Sequence, residues 1–280
     1  MLGRLEMSVE ECIEAYRLIS EDVFVLNTAE RWWRIATPFG WKAKLRPSYD
    51  AKKLEDHIKR LVEKHLDGNP DAEMRDKRPG ACKVAVVAMA TENSEPQVLP
   101  SYYDSRNNMM EGMKIWEAAR ATSAATGFFE PITIGPHKLK FVDGATGANN
   151  PVRELWQQAQ RQFPSDYDLA PRLGCLLSLG TGLPSQKEWT GNAISVGKRL
   201  VEIATDTRRT AEMFGEEHVN LSEDNRYVRL DPLDVGDLKL DAAEDLSTIA
   251  RRTDSYLQKR PQWPQVLGIA AHLRALQSTF

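Results

Sequence analysis

The chain has 280 residues, 41% hydrophobic and 28% charged, with a formal net charge of -3. That is the balance of an ordinary globular protein, long enough to bury a core as one large domain or two small ones. The net charge makes neither nucleic acid nor an anionic surface an obvious partner, and no run is long and apolar enough to span a bilayer.

No charged-then-apolar leader pattern opens the chain. Cys12, Cys82 and Cys175 are too few and too scattered for a disulfide framework or a zinc site. Cys175 lies in an apolar run and reads as a small core residue. A reducing, cytoplasmic setting is the expectation.

The segment Met1–Met7 reads as the tail of a helix followed by a break. Ser8-Val9-Glu10-Glu11 is a capping box, and Cys12, Ile13, Tyr16, Leu18 and Ile19 follow at mixed helical spacing. Between Asn27 and Pro47 the chain is aromatic and basic, with Trp32, Trp33, Arg34, Phe39, Trp41, Lys42, Lys44 and Arg46. Such a mixture suits a membrane interface, where indole sits among lipid headgroups and cations meet anionic lipid. It equally suits aromatics packed as a lid on a core. Leu54, Ile58, Leu61, Val62 and Leu66 then mark a charged helix that Asp67-Gly68-Asn69-Pro70 ends, and a polar surface loop runs to Gly80.

The run from Lys83 to Ala90 is short, apolar and β-branched, as in a strand of a parallel or mixed sheet covered on both faces. Gln97 to Tyr103 reads as an edge strand beside it. Lys114 to Ala125 is a helix of small residues, Lys138 to Val142 a strand, and Leu173 to Leu179 another buried strand ending in Gly180-Thr181-Gly182. A helix is expected from Asn192 to about Phe214, with Ile194, Val196, Leu200, Val201 and Ile203 on its apolar side. Tyr227 to Leu230 is a late strand, Asp241 to Leu257 a helix, and Pro261 and Pro264 break the chain before a last helix from Gln265 to Gln277. Strands alternating with helices mean an α/β fold.

The stretch from Phe141 to Pro151 organises the rest. A short strand runs into Asp143, and Gly144, Ala145 and further small residues follow at once. Asn150-Pro151 has the residue types of an N-cap and a first helical position ahead of Val152, Leu155, Trp156 and Ala159. An acid between a strand and a helix can project into a cleft at the carboxyl edge of a sheet, or it can simply cap its own turn.

Four stretches in this order resemble a patatin-like phospholipase domain. They are Trp116 to Ala125, Phe141 to Ala145, Asn149-Asn150-Pro151, and Leu177 to Gly182. The resemblance runs from Met1 to about Leu257 and is nearest to fungal and bacterial members. It implies residues 1–257 as a partial patatin-like domain and 258–280 as a C-terminal helical tail. The fold it implies is a central mixed or parallel sheet flanked by helices.

The activity implied is lipid acyl hydrolysis by a Ser–Asp dyad without a metal. Asp143 of the Asp143-Gly144-Ala145 motif would be the base that takes the serine proton. The partner implied is a lipid or membrane surface, met peripherally, with Trp32, Trp33 and Trp41 as candidate contacts and no nucleic acid. The chain departs from the family pattern in having no G-x-S-x-G and no glycine-rich loop before its first helix. It therefore reads as beginning after the nucleophile elbow, without the family's N-terminal strands.

On that reading the strands at Val84–Ala90 and Leu139–Val142 lose sheet neighbours, and a protein partner or the absent segment would complete the sheet. The alternative is a catalytically inactive relative that binds lipid or protein; a third is a nucleophile supplied by another chain. Ser123 resembles an elbow serine only in its small neighbours, because it falls in a helical run. Ser178 to Gly182 lacks the lysine and spacing of a phosphate loop and reads as a tight turn. Arg120 is expected to make a structural hydrogen bond or ion pair, with headgroup binding as the other use.

Overall fold

The computed structural model describes residues 1–25, 47–104, 110–163, 168–182, 195–232, 246–259 and 262–277. The chain forms two compact units, Met1–Ala148 and Asn149–Phe280. Among the described residues no helix is long and apolar enough to cross a membrane.

The first unit holds α1 (Val9–Val23), α2 (Ala51–His65), β1 (Ala85–Ala90), β2 (Pro96–Pro100), α3 (Ile115–Thr122), β3 (Ile132–Ile134), β4 (Leu139–Asp143) and the single turn α4 (Ala145–Ala148). Its sheet runs in the order β2-β1-β4-β3, every pair antiparallel. The α/β class stands as expected, whereas strand direction in this sheet differs from the parallel or mixed arrangement expected of β1. The Thr91–Glu95 turn returns the chain directly into β2, and such a tight reversal can only join antiparallel neighbours.

A second difference concerns the strands expected to lack neighbours. β1 lies between β2 and β4, and β4 lies between β1 and β3, so both are interior strands. They satisfy each other, through Ala88↔Asp143, Met89↔Val142 and Ala90↔Phe141. β2 is an edge strand, as read from the sequence.

The core beneath this sheet combines Ala88, Leu99, Ile134 and Phe141 from the strands with Ala118 and Ala121 from α3 and Val62 from α2. Alanines at the α3 face let its backbone approach the sheet closely, and Ala121 is fully buried. A second cluster gathers Val23, Tyr49, Leu54 and Phe129, with Phe24 edge-on to Tyr49 at 5.1 Å. Ser8 and Glu11 form the expected capping box. Met1 to Leu5 close one helical turn and Glu6 breaks it with φ 53°, matching a helix tail that stops.

The 67–80 loop is more than a surface connection. Met74 enters the core, and the buried Arg4 donates to the Met74 carbonyl at 3.1 Å and the Glu73 carbonyl at 2.9 Å. Arg4 also lies 3.4 Å from Asp76, which accepts from Arg78 Nη2 at 2.7 Å. The Asp76 N–H donates to the Ser101 carbonyl, and Ser101 pairs with Val84 at the start of the hairpin. Asp76 thus ties the N-terminal turn and the loop together through its carboxylate and reaches the hairpin through its backbone N–H.

The second unit begins with α5 (Val152–Gln162), α6 (Leu169–Arg172), β5 (Leu176–Leu179), α7 (Ser195–Glu217) and α8 (Val219–Glu223). It continues with β6 (Tyr227–Leu230), α9 (Leu246–Leu257) and α10 (Gln262–Gln277). β5 and β6 pair in parallel, Leu176↔Tyr227 through Leu179↔Leu230. Trp156, Leu169, Leu176, Phe214, Leu221 and Tyr227 form its core.

Three readings change here. Leu176 is buried but Leu177 and Leu179 are exposed, because among the described residues the core of this unit packs on the Leu176 face of β5 and alternate residues point to the other. Pro264 does not precede the last helix but sits in its first turn, where its missing N–H has no helical partner to lose. Asn150 is not the N-cap, which falls on Pro151. The apolar residues expected on the first turns of α7 and before Leu246 lie outside the described side chains.

Arg78 and Arg4 hold the Asp76 carboxyl down at about 2, from an ordinary 3.8. A carboxylate depressed on folding contributes stability above its unfolded pKa and loses it as pH falls through the folded value. Asp76→Asn is expected to cost about 1–2 kcal/mol at neutral pH by urea unfolding, since it leaves the buried Arg4 guanidinium, and the half-exposed Arg78, short of a charged partner. The deficit should shrink between pH 4 and 2, where the wild-type carboxylate is itself protonated.

Candidate active site

Asp143 is the last residue of β4, and the chain leaves the sheet at Gly144. Three groups define that corner. The Asp143 N–H donates to the Ala124 carbonyl at 3.0 Å, just past the end of α3. The Ala145 N–H donates to Asp143 Oδ1 at 2.8 Å, an Asx turn that holds the carboxylate over its own bend. A side-chain carbon at Gly144 would lie 2.5 Å from the Val87 carbonyl oxygen, so only glycine fits against β1 here.

The carboxylate is half-buried. Burial pushes its pKa above the usual carboxylate range, and the Ala145 N–H pulls the other way. Desolvation is the larger cause. A carboxylate disfavoured in its charged form is a better proton acceptor than one in water, which is the property a general base needs. The turn-capping and catalytic readings of this acid are therefore compatible in one geometry.

The other sequence candidates fall elsewhere. Trp32, Trp33 and Trp41 lie outside the described residues. Ser123 is the C-cap of α3 rather than a residue within it, and no strand runs into it, so it has no elbow geometry. Arg120 is buried, donates to the Glu130 carbonyl at 3.0 Å and packs 5.7 Å from the Phe129 ring centre, a structural placement.

In the second unit, Gly180 and Gly182 follow directly on β5, and the tight turn expected there is not formed among the described residues, which reach Gly182 at φ 102°. The Gly182 N–H donates to Asp231 Oδ1 at 2.9 Å, and a side chain at Gly180 would overlap the Asp231 carboxylate. Asn150, buried, reaches the Thr207 carbonyl at 3.3 Å and lies 3.5 Å from Ser178 Oγ. Among the described residues no three His, Cys, Asp or Glu side chains converge as metal ligands.

The patatin-like phospholipase family model matches residues 1–156, which includes the whole Asp143 corner. The chain belongs to this family. Patatin-like relatives include the mouse calcium-independent phospholipase A2-gamma, 26% identical over 94% of this chain and 33% of that protein. The cGAMP-activated phospholipase of an Escherichia coli strain is 28% identical over 78% of this chain and 61% of that protein. Phospholipase A I of Arabidopsis thaliana is 29% identical over 43% of this chain. The chain spans about a third of the length of the mammalian relatives. As members of a phospholipase family, patatin-like proteins have lipid acyl hydrolysis as their common chemistry.

Thr122, Val87 and Ala124 were not legible as parts of the corner. Nothing in their spacing relative to Asp143 marks them: the register of β1 against β4 brings Val87 there, and the packing of α3 brings Ala124 to Asp143 and the Thr122 hydroxyl to the Val87 carbonyl.

A raised carboxyl pKa in the fold means stability is greatest below the unfolded value and falls as pH rises through the folded one. Asp143→Asn, which keeps an oxygen for the Ala145 N–H, should therefore raise the melting temperature at pH 7. The gain should vanish as pH falls into the ordinary carboxylate range. Calorimetry across pH 3–8 reads this directly; a loss of stability at pH 7 would show the charged form to be favoured.

Proposed function

We propose that this chain carries the general base of a patatin-like lipid acyl hydrolase, with phospholipid or neutral-lipid esters as substrates. The observation that carries the reading is Asp143, half-buried at the strand end with its pKa raised, in the Asp143-Gly144-Ala145 motif. In this reading Asp143 takes the proton from a serine hydroxyl as Oγ attacks the acyl carbonyl. The alcohol leaves with that proton, and the acyl-serine is hydrolysed by a water that the same carboxylate deprotonates. The scheme uses no cofactor and no metal.

No G-x-S-x-G occurs in these 280 residues. The enzyme reading therefore needs a serine, and backbone donors for the oxyanion, supplied from outside them. Residues 1–257 then form part of a patatin-like domain and 258–280 a helical tail. A lipid surface as substrate accords with the phospholipase names of the relatives; a cytoplasmic setting, peripheral contact and Trp32, Trp33 and Trp41 as the contacts belong to the same proposal.

The same missing motif favours a second reading, a relative that binds lipid or a protein partner without catalysis. In-frame coding sequence before Met1 that contains a G-x-S-x-G after a strand supports the enzyme; a stop codon there supports the binding module.

In a protein completed by such a segment, Asp143→Asn should lower kcat for a chromogenic ester by at least ~10³-fold, about the loss of an essential base. Near-wild-type turnover would remove Asp143 from the role. The acid limb of kcat/KM should fall above the ordinary aspartate range, since activity needs the deprotonated form.

The 280-residue chain by itself should show no ester turnover above background. Robust turnover abolished by Ser123→Ala would transfer the nucleophile to the end of α3.

A further inference from the structure

The Asp143 corner is gripped from a third element. Thr122, the last residue of α3, donates its hydroxyl to the Val87 carbonyl at 2.8 Å. That oxygen is the atom a side chain at Gly144 would strike first. Two residues on, the Ala124 carbonyl accepts the Asp143 N–H. The exit of α3 therefore holds β1 behind the bend and β4 at the bend.

The ladder explains why a third element is needed. The last register pair between β1 and β4 is Ala88↔Asp143, and Val87 lies one residue beyond it. At that point the sheet no longer constrains the spacing between the two strands. A hydroxyl from α3, carried close to the sheet by Ala118 and Ala121, supplies the missing restraint. A neutral hydrogen bond across 35 residues is a costly contact to leave half-made, since a carbonyl deprived of its donor must find another partner.

We infer that Thr122 is a positioning residue for Asp143, fastening the Val87 carbonyl against Gly144 and so fixing the point at which β4 turns and presents its carboxylate. This rests on Asp143 as the base proposed above. Thr122 itself touches neither substrate nor the proton in flight. It acts through backbone: hydroxyl to Val87, Val87 to Gly144, Gly144 to the Asx turn. Loosening the first link admits water to the corner and weakens the desolvation that raises the Asp143 pKa.

The test is a carbon-detected NMR titration of the Asp143 carboxyl in the 280-residue chain, with thermal unfolding of the same samples. Thr122→Val keeps the side-chain shape and removes the hydroxyl; Thr122→Ser keeps the hydroxyl. The expected result is a downward shift of the Asp143 titration by about half a unit or more in Thr122→Val, with Thr122→Ser titrating as wild type. A Thr122→Val chain that melts lower while Asp143 titrates unchanged makes the residue merely structural and overturns the inference. Should Thr122→Val not fold, Thr122→Ala is read the same way.

The two proposals fail separately. If the titration ignores Thr122 while Asp143→Asn inactivates the completed enzyme, only the positioning role is lost. If Asp143→Asn leaves that enzyme active, the base assignment is lost whatever the titration shows.

Discussion

The antiparallel pairing of β1 with β4 is the contact on which the first unit depends. Its register sets Ala88 opposite Asp143 and Ala90 opposite Phe141, which places Phe141 in the core and Asp143 at the end of the ladder. Since alternate residues face opposite sides of a sheet, a slip by one residue would expose Phe141 and turn the whole of β4 over. The close approach of the Val87 carbonyl to Gly144 depends on this register too. Both strands have neighbours on either side, so the corner rests on an interior part of the sheet.

Two aspartates in this unit show how surroundings divide identical side chains. Asp76 is enclosed, but Arg4 and Arg78 compensate it and its own backbone is bonded to Ser101, so it stays charged and serves as a tie. Asp143 is also largely withdrawn from water, and desolvation outweighs the N–H it accepts. At the first acid the arginines are the larger influence and favour the charge; at the second, desolvation is the larger and disfavours it. That contrast, more than burial itself, separates a structural carboxylate from one poised to take a proton.

The second unit solves a similar problem with one more polar residue. Asp231 binds the Gly182 N–H and also Arg229, whose guanidinium reaches Ser178 Oγ at 2.8 Å. The glycine pair after β5 thus packs on a carboxylate just past the end of β6, a contact that the parallel pairing of the two strands brings about. Asn150 is drawn into the same region by Ser178 and Thr207, which accounts for its absence from the N-cap position its type favours.

Local pattern and short-range chemistry determined much of this protein from sequence. The capping box at Ser8, the alanine face of α3 and the Asp143-Gly144-Ala145 bend follow from residues near one another in the chain, and the family was legible in four short stretches in order. Each depends on backbone propensity or side-chain period, which a sequence displays directly. Strand direction, the mutual pairing of β1 and β4, the docking of the 67–80 loop by Arg4, and the approach of Thr122 to Val87 were decided only in the tertiary structure. These contacts join segments tens of residues apart, and their energies depend on register and close packing. Neither leaves a mark on composition or spacing, because many sequences with the same apolar period could pair differently.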